Sequence, residues 1–195
     1  DSFDNQLSVT NALGKTTTST YDSFENKLTE TDSLGNTTRF TYNSLRKALT
    51  ITDPRGAVTT NTYDSKGNLR STRDALGNSS NFTYDMQGRV LTQTDALGKT
   101  TTFVYNGFGY LTSQTDALGA ITTYSYDNNG NRLTEVSKRT VSGTLQTVTT
   151  SFSYDNSNRL IRTTAPGSVV SETEFNNIGK VIRSIDPLYR ITCYS

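Results

Sequence analysis

The feature that most constrains this chain is a period of 21 residues. Tyr84-Asp85 returns as Tyr105-Asn106, and Asp95-Ala96-Leu97-Gly98 returns as Asp116-Ala117-Leu118-Gly119. The Asp or Asn that follows an aromatic residue marks the phase at Asp22, Asn43, Asp64, Asp85, Asn106 and Asp127. After a step of 28 the marker resumes at Asp155, and Asn176 follows 21 later. A fixed spacing of this size is the signature of a repeat architecture, in which each unit buries its apolar surface against its neighbours. Residues 1–195 therefore read as one array of nine units, starting near 1, 22, 43, 64, 85, 106, 127, 155 and 176. The chain begins and stops near the same phase, so we expect a stretch of a longer array.

Each unit holds two extended runs and two turn signals. Thr37-Thr38-Arg39-Phe40-Thr41-Tyr42 represents the first run, and Leu91-Thr92-Gln93-Thr94 the second. β-branched and aromatic residues suit a pleated, half-buried surface. Asp-x-x-Gly follows both runs. An Asp side chain can accept from its own backbone two residues on, and Gly accepts a positive φ, so both signals read as tight turns. Short strands with a turn about every ten residues predict an all-β antiparallel meander of tandem hairpins. The strip is expected to curl into part of a hollow shell or tube. Residues 137–148 hold the extra length and predict a longer hairpin tip, with its turn at Ser142-Gly143. Ala165-Pro166-Gly167 and Tyr189 break the Asp-x-x-Gly pattern, so the later units read as degenerate.

Residues two apart on a strand share a face. Phe40 joins Tyr42, Phe82 joins Tyr84 and Phe103 joins Tyr105. Leu7, Leu28, Leu49, Leu91 and Leu133 recur in the second run. We expect aromatic residues and leucines to alternate along one face. The Thr, Ser, Asn and Gln of the other face should be wet.

Composition excludes several classes. Nineteen Lys and Arg against eighteen Asp and Glu give a net charge of +1. Nucleic acid and anionic membranes call for a concentrated basic patch, so neither is an expected partner. No apolar run approaches the length needed for a membrane span. There is no histidine, and Cys193 is the single cysteine, so neither a Cys–His nucleophile nor an internal disulfide can form. Asp127-Asn128-Asn129-Gly130 resembles a calcium loop only faintly, since its Gly falls at the fourth position, as in most other turns, and not the sixth. Tripeptides at Asn36, Asn78 and Asn81 fit the glycosylation pattern, as a Thr-rich and Ser-rich chain does by chance. We assign no catalytic, cofactor-binding or metal-ligating residue, and expect no enzyme and no cofactor.

Tyr-Asp-x-x-Gly with Asp-Ala-Leu-Gly-x-x-Thr at a 21-residue period resembles the RHS repeat, also called the YD repeat. The resemblance implies hairpin arrays that form a continuous sheet spiralling into a hollow shell. Bacterial polymorphic toxins, the cocoon subunits of insecticidal toxin complexes and the animal teneurins carry such shells. In the toxins the shell encloses a C-terminal effector, often released by an aspartyl self-cleavage site in a core region after the repeats. Residues 1–195 contain neither that core nor an effector, so the resemblance carries over to wall-building alone. The resulting expectation is a wall segment of a secreted or cell-surface bacterial protein that encapsulates a toxin or effector. Its partners would be further repeats or other copies, joined through edge strands, and the enclosed effector. Two alternatives stand beside it. One is a tube or filament built by edge-strand pairing, and the other a surface adhesion module whose aromatic face binds glycans.

Overall fold

The computed structural model describes residues 5–141 and 144–194. The described residues contain strands and turns and no helix. The chain divides into two compact units, residues 1–100 and 101–195.

The first unit holds β1 (Ser8–Thr10), β2 (Thr16–Tyr21), β3 (Lys27–Thr31), β4 (Thr37–Tyr42) and β5 (Ala48–Thr52). It continues with β6 (Val58–Tyr63), β7 (Leu69–Arg73), β8 (Ser79–Tyr84) and β9 (Val90–Thr94). Each strand pairs antiparallel with the next. The second unit holds β10 (Thr100–Tyr105), whose first residue belongs to the first unit, then β11 (Leu111–Thr115), β12 (Ile121–Tyr126) and β13 (Arg132–Val141). It ends with β14 (Thr144–Tyr154), β15 (Leu160–Ala165), β16 (Val169–Phe175), β17 (Val181–Ile185) and β18 (Ile191–Cys193). These also pair in sequence order, all antiparallel. Each unit is thus an all-β meander.

The turns follow from one side chain. At Asp32 the backbone N–H donates to the Asn36 carbonyl at 2.9 Å, and the Gly35 N–H donates to the Asp32 carbonyl at 3.0 Å. Oδ1 of Asp32 accepts from the N–H groups of Leu34 and Asn36, and Oδ2 accepts from the Asn36 side-chain amide. This is a type I turn closed by a residue in the left-handed region, the three-residue hairpin loop. Pro54 takes the second position of such a turn, where its fixed φ fits. The fourth residue has positive φ, as Gly at Gly35 (87°) and Gly98 (77°), but also as Glu25 (66°), Arg46 (57°) and Tyr189 (61°). At Tyr189 the pattern departs from Asp-x-x-Gly in sequence only, because Asp186 keeps the same carboxylate and backbone bonds. The Pro166-Gly167-Ser168 loop is different. It has the same length but two consecutive positive φ angles, at Gly167 and Ser168, and no carboxylate.

β13 and β14 pair from Thr134↔Ser151 to Val141↔Thr144, while β12 stops following β13 at Thr122↔Ser137. The strands thus run on past their neighbour. The turn expected at Ser142-Gly143 lies outside the described residues.

No described residue is buried, so neither unit has a closed core. The accessible surface is 13224 Å², against about 9,100 Å² for a compact protein of this mass. The expectation of one dry and one wet face holds on the aromatic strands, where Phe40 and Tyr42 are shielded and Thr41 is exposed, but not on the leucine strands. Leu28, Leu91 and Leu133 are 36–38% exposed, while Thr29 and Thr92 on the opposite face are more shielded. The sheet of each unit is a single layer, so nothing covers the leucines. The hydroxyls pair across strands, as between Thr41 and Thr50 at 2.6 Å and Thr83 and Thr92 at 2.6 Å, but Thr41 and Thr83 stay exposed while Phe40, Tyr42, Phe82 and Tyr84 on the other face of their strands are half-buried.

Candidate functional site

The leucines have a second role that alternation along a strand conceals. Thr41 pairs with Thr50, but Tyr42 pairs with Ala48, and Leu49 is the extra residue of a β-bulge. The same skip leaves out Leu28 beside Tyr21, Leu91 beside Tyr84 and Leu133 beside Tyr126. Each of these hairpins therefore bends at its Tyr.

The tyrosine hydroxyls connect these bends. Tyr42 donates to the Lys27 carbonyl at 2.8 Å, Tyr63 to Ala48 at 2.9 Å and Tyr84 to Leu69 at 2.8 Å. Each acceptor is the residue that pairs with the preceding tyrosine across its bulge. The backbone ladder between β5 and β6 ends at Thr50↔Thr60, so the Ala48 carbonyl lies beyond it. A backbone acceptor left without a partner is costly, and the hydroxyl supplies one. Asn61 adds a second donor to the same carbonyl at 3.0 Å. In the second unit Tyr126 donates to Leu111 at 2.8 Å and Tyr154 to Arg132 at 3.1 Å. The latter step spans 22 residues where the others span 15, so the extra residues leave the seam intact. Burial pushes the phenol pKa of Tyr42, Tyr84, Tyr124 and Tyr126 up.

Aromatic rings gather most densely in the second unit. Tyr110 stacks on Tyr126 with centroids 5.0 Å apart, and on Phe108 at 6.4 Å. These distances fall in the range of favourable ring pairs. Tyr110 lies so close over the next turn that a Cβ on Gly130 would stand 2.3 Å from its hydroxyl. The Arg132 guanidinium lies over the rings of Phe152 at 4.6 Å and Tyr124 at 5.8 Å. Phe108, 88% exposed, rims a shallow cleft of about 440 Å³ with Tyr110, Tyr124, Tyr126 and Asp127.

The turn carboxylates do not form a reactive site. Asp32 and Asp64 titrate below the ordinary carboxylate value because of the side-chain amides of Asn36 and Asn68, followed by backbone N–H donors. For Asp85 burial acts first and upward, but the backbone and guanidinium of Arg89 outweigh it. Each carboxylate is engaged with its own turn. Among the described residues no group of three His, Cys, Asp or Glu converges to hold a metal. The Asp127 loop has the same bonds as the other turns. Asn36 and Asn78 use their side-chain amides in the turn, while Asn81 is exposed on β8. No helix among the described residues is long and apolar enough to cross a membrane.

No curated protein matches the chain. A Tc holotoxin pore of Photorhabdus luminescens matches in structure with a TM-score of 0.62 at 14% identity, over 88% of this chain and 12% of that one. A TcdB2–TccC3 crystal structure matches at 0.48 and 17% identity, over 94% of this chain and 14% of that one. A porin-like protein of Bacteroides uniformis matches at 0.38 and 14% identity, over 91% and 86% of the two chains. The last two scores are too low to bear on the fold, and the first is a likeness of fold. The chain thus spans about an eighth of the length of the toxin chains it matches. The RHS-repeat family model matches residues 63–100, 84–121 and 105–145. Residues 63–145 thus match the RHS repeat of that family.

Proposed function

We propose that this chain is a length of wall in an RHS-type β-shell that encloses a toxin or effector, in a secreted or surface protein of bacterial origin. The observation that carries the reading is the tyrosine seam of the first unit, from Tyr21 through Tyr42 and Tyr63 to Tyr84. It ties hairpin to hairpin within that unit, in a sheet with no buried side chain among the described residues. Such a sheet is suited to separating two spaces rather than to building an enclosed reaction site. The family match and the likeness in fold to the Tc holotoxin pore support the same reading. Its work is mechanical and needs no catalysis.

Electron microscopy of the native assembly tests the proposal. Closed hollow particles of constant size are expected. Tubes of constant width and varying length would overturn the closed shell and favour assembly through strand edges. A glycan-binding reading is favoured by the exposed Phe108 beside stacked Tyr110 and Tyr126. Loss of glycan retention in Phe108→Ala, with the circular dichroism unchanged, would establish it.

A further inference from the structure

A cleft in the first unit lies between two neighbouring hairpin tips, the turns that open at Asp22 and Asn43. It has a volume of about 560 Å³ and is lined by Phe24, Leu28, Phe40, Tyr42, Asn43 and Arg46. Two of these residues are not what the turns require. Phe24 is the third residue of its turn and is 63% exposed, while Lys66 and Gln87 make the same backbone bond in later turns. Arg46 is the fourth residue of its turn, the place of Gly67 and Gly88, and holds φ at 57°. A side chain in the left-handed region carries backbone strain, and such strain gathers at ligand sites.

The guanidinium of Arg46 lies 5.8 Å from the centre of the Phe24 ring, at cation–π distance. Among the described residues it makes no ion pair and donates no hydrogen bond. The carboxylate of Asp22, which senses its charge, is taken up by the N–H groups of Phe24 and Asn26 and by the Asn26 amide. Asn43 uses its oxygen to accept from Leu45 and Lys47, which leaves its NH₂ as a donor. The Tyr42 hydroxyl is committed to the Lys27 carbonyl, so Tyr42 offers its ring. The cleft thus presents a forked cation, an amide donor and aromatic surface.

We propose that this cleft binds an acidic saccharide, a uronate whose pyranose carries a carboxylate. A guanidinium matches a carboxylate with two parallel hydrogen bonds. The flat C–H face of a pyranose suits the negative face of an aromatic ring. A uronate holds carboxylate and ring face in one rigid frame, as adjacent turns hold Arg46 and Phe24. An acidic peptide carries its carboxylate on a rotatable stem and loses more freedom on binding. The cleft volume falls in the range of about 300–1,000 Å³ usual for ligand sites. The cleft belongs to the first unit and does not involve Phe108, so its failure and that of glycan binding at Phe108 are separate results.

The test is affinity electrophoresis of the chain in gels containing polygalacturonate, with dextran as the neutral control and polyglutamate as the acidic peptide. Retardation by polygalacturonate alone is expected. Arg46→Gly should weaken it about tenfold or more, the worth of a charged hydrogen bond, while the thermal midpoint rises as the strain is relieved. Arg46→Lys, which keeps the charge but not the fork, and Phe24→Ala should each weaken it too, with the far-ultraviolet circular dichroism unchanged. No retardation, equal retardation by polyglutamate, or retardation that Arg46→Gly leaves unchanged overturns the proposal.

Discussion

The hydroxyl of Tyr63 donates to the carbonyl of Ala48 at 2.9 Å, across the place where the ladder between β5 and β6 has ended. Ala48 is the residue that pairs with Tyr42, so Tyr63 closes the gap left by the bulge before it, as Tyr42 and Tyr84 do in theirs. Removing the hydroxyl in Tyr84→Phe leaves the Leu69 carbonyl to solvent and keeps the ring. The cost should be about 0.5–1.5 kcal/mol. Urea unfolding at pH 7 measures it. An unchanged midpoint would mean the seam adds nothing.

The turn carboxylates predict acid sensitivity. Asp22, Asp32, Asp64 and Asp127 titrate below the ordinary value, chiefly through the neighbouring Asn side-chain amide. The unfolded chain then takes up protons first as pH falls, near pH 3.9. Their stabilisation is therefore complete above about pH 4 and is lost as pH drops through the lower folded values. Asp32→Asn keeps the Oδ1 acceptor that Asn43 uses in its own turn. It should fold at pH 7 and show a shallower acid loss in urea midpoints measured from pH 6 to 2.

Left-handed turn positions separate strain from contact. Gly98 has φ 77° and nothing within 4 Å of an added Cβ, so Gly98→Ala should cost about 1 kcal/mol. Gly130 has φ 86° and the Tyr110 hydroxyl 2.3 Å from that Cβ, so Gly130→Ala should cost more and disturb the stacked rings. Glu25 at φ 66° should gain up to about 1 kcal/mol as Gly, strain relief outweighing the added backbone entropy. Thermal midpoints of the three variants give the order.

The threonine face can be tested by a double-mutant cycle. Thr41 and Thr50 share a hydroxyl bond of 2.6 Å. Valine at one position leaves a hydroxyl alone, whereas valine at both is nearly neutral. A coupling of about 0.2–1 kcal/mol is expected. Purely additive effects would show that the pair does not cooperate.

Much of the fold is legible in the residues themselves. The 21-residue step places Asp at most turns and a β-branched run at each strand, because both choices depend on local backbone chemistry. Tyr189 breaks the pattern in sequence but not in space, since the Asp186 carboxylate organises the turn and a non-Gly residue tolerates the left-handed position. Alternation alone makes Leu49 an ordinary strand residue. Its bulge depends on how two strands pair, which alternation along one strand does not reveal.

The repeat, the antiparallel hairpins and the absence of histidine chemistry are properties of the amino-acid order, because they follow from short-range geometry and from residue types. Folding in three dimensions settles the rest. No described side chain is buried, Thr29 and Thr92 are more shielded than the neighbouring Leu28 and Leu91, and Tyr42, Tyr63 and Tyr84 each serve the previous bulge. Those properties depend on what lies across the next strand, 15 residues away, and on the lack of any second layer to cover the sheet.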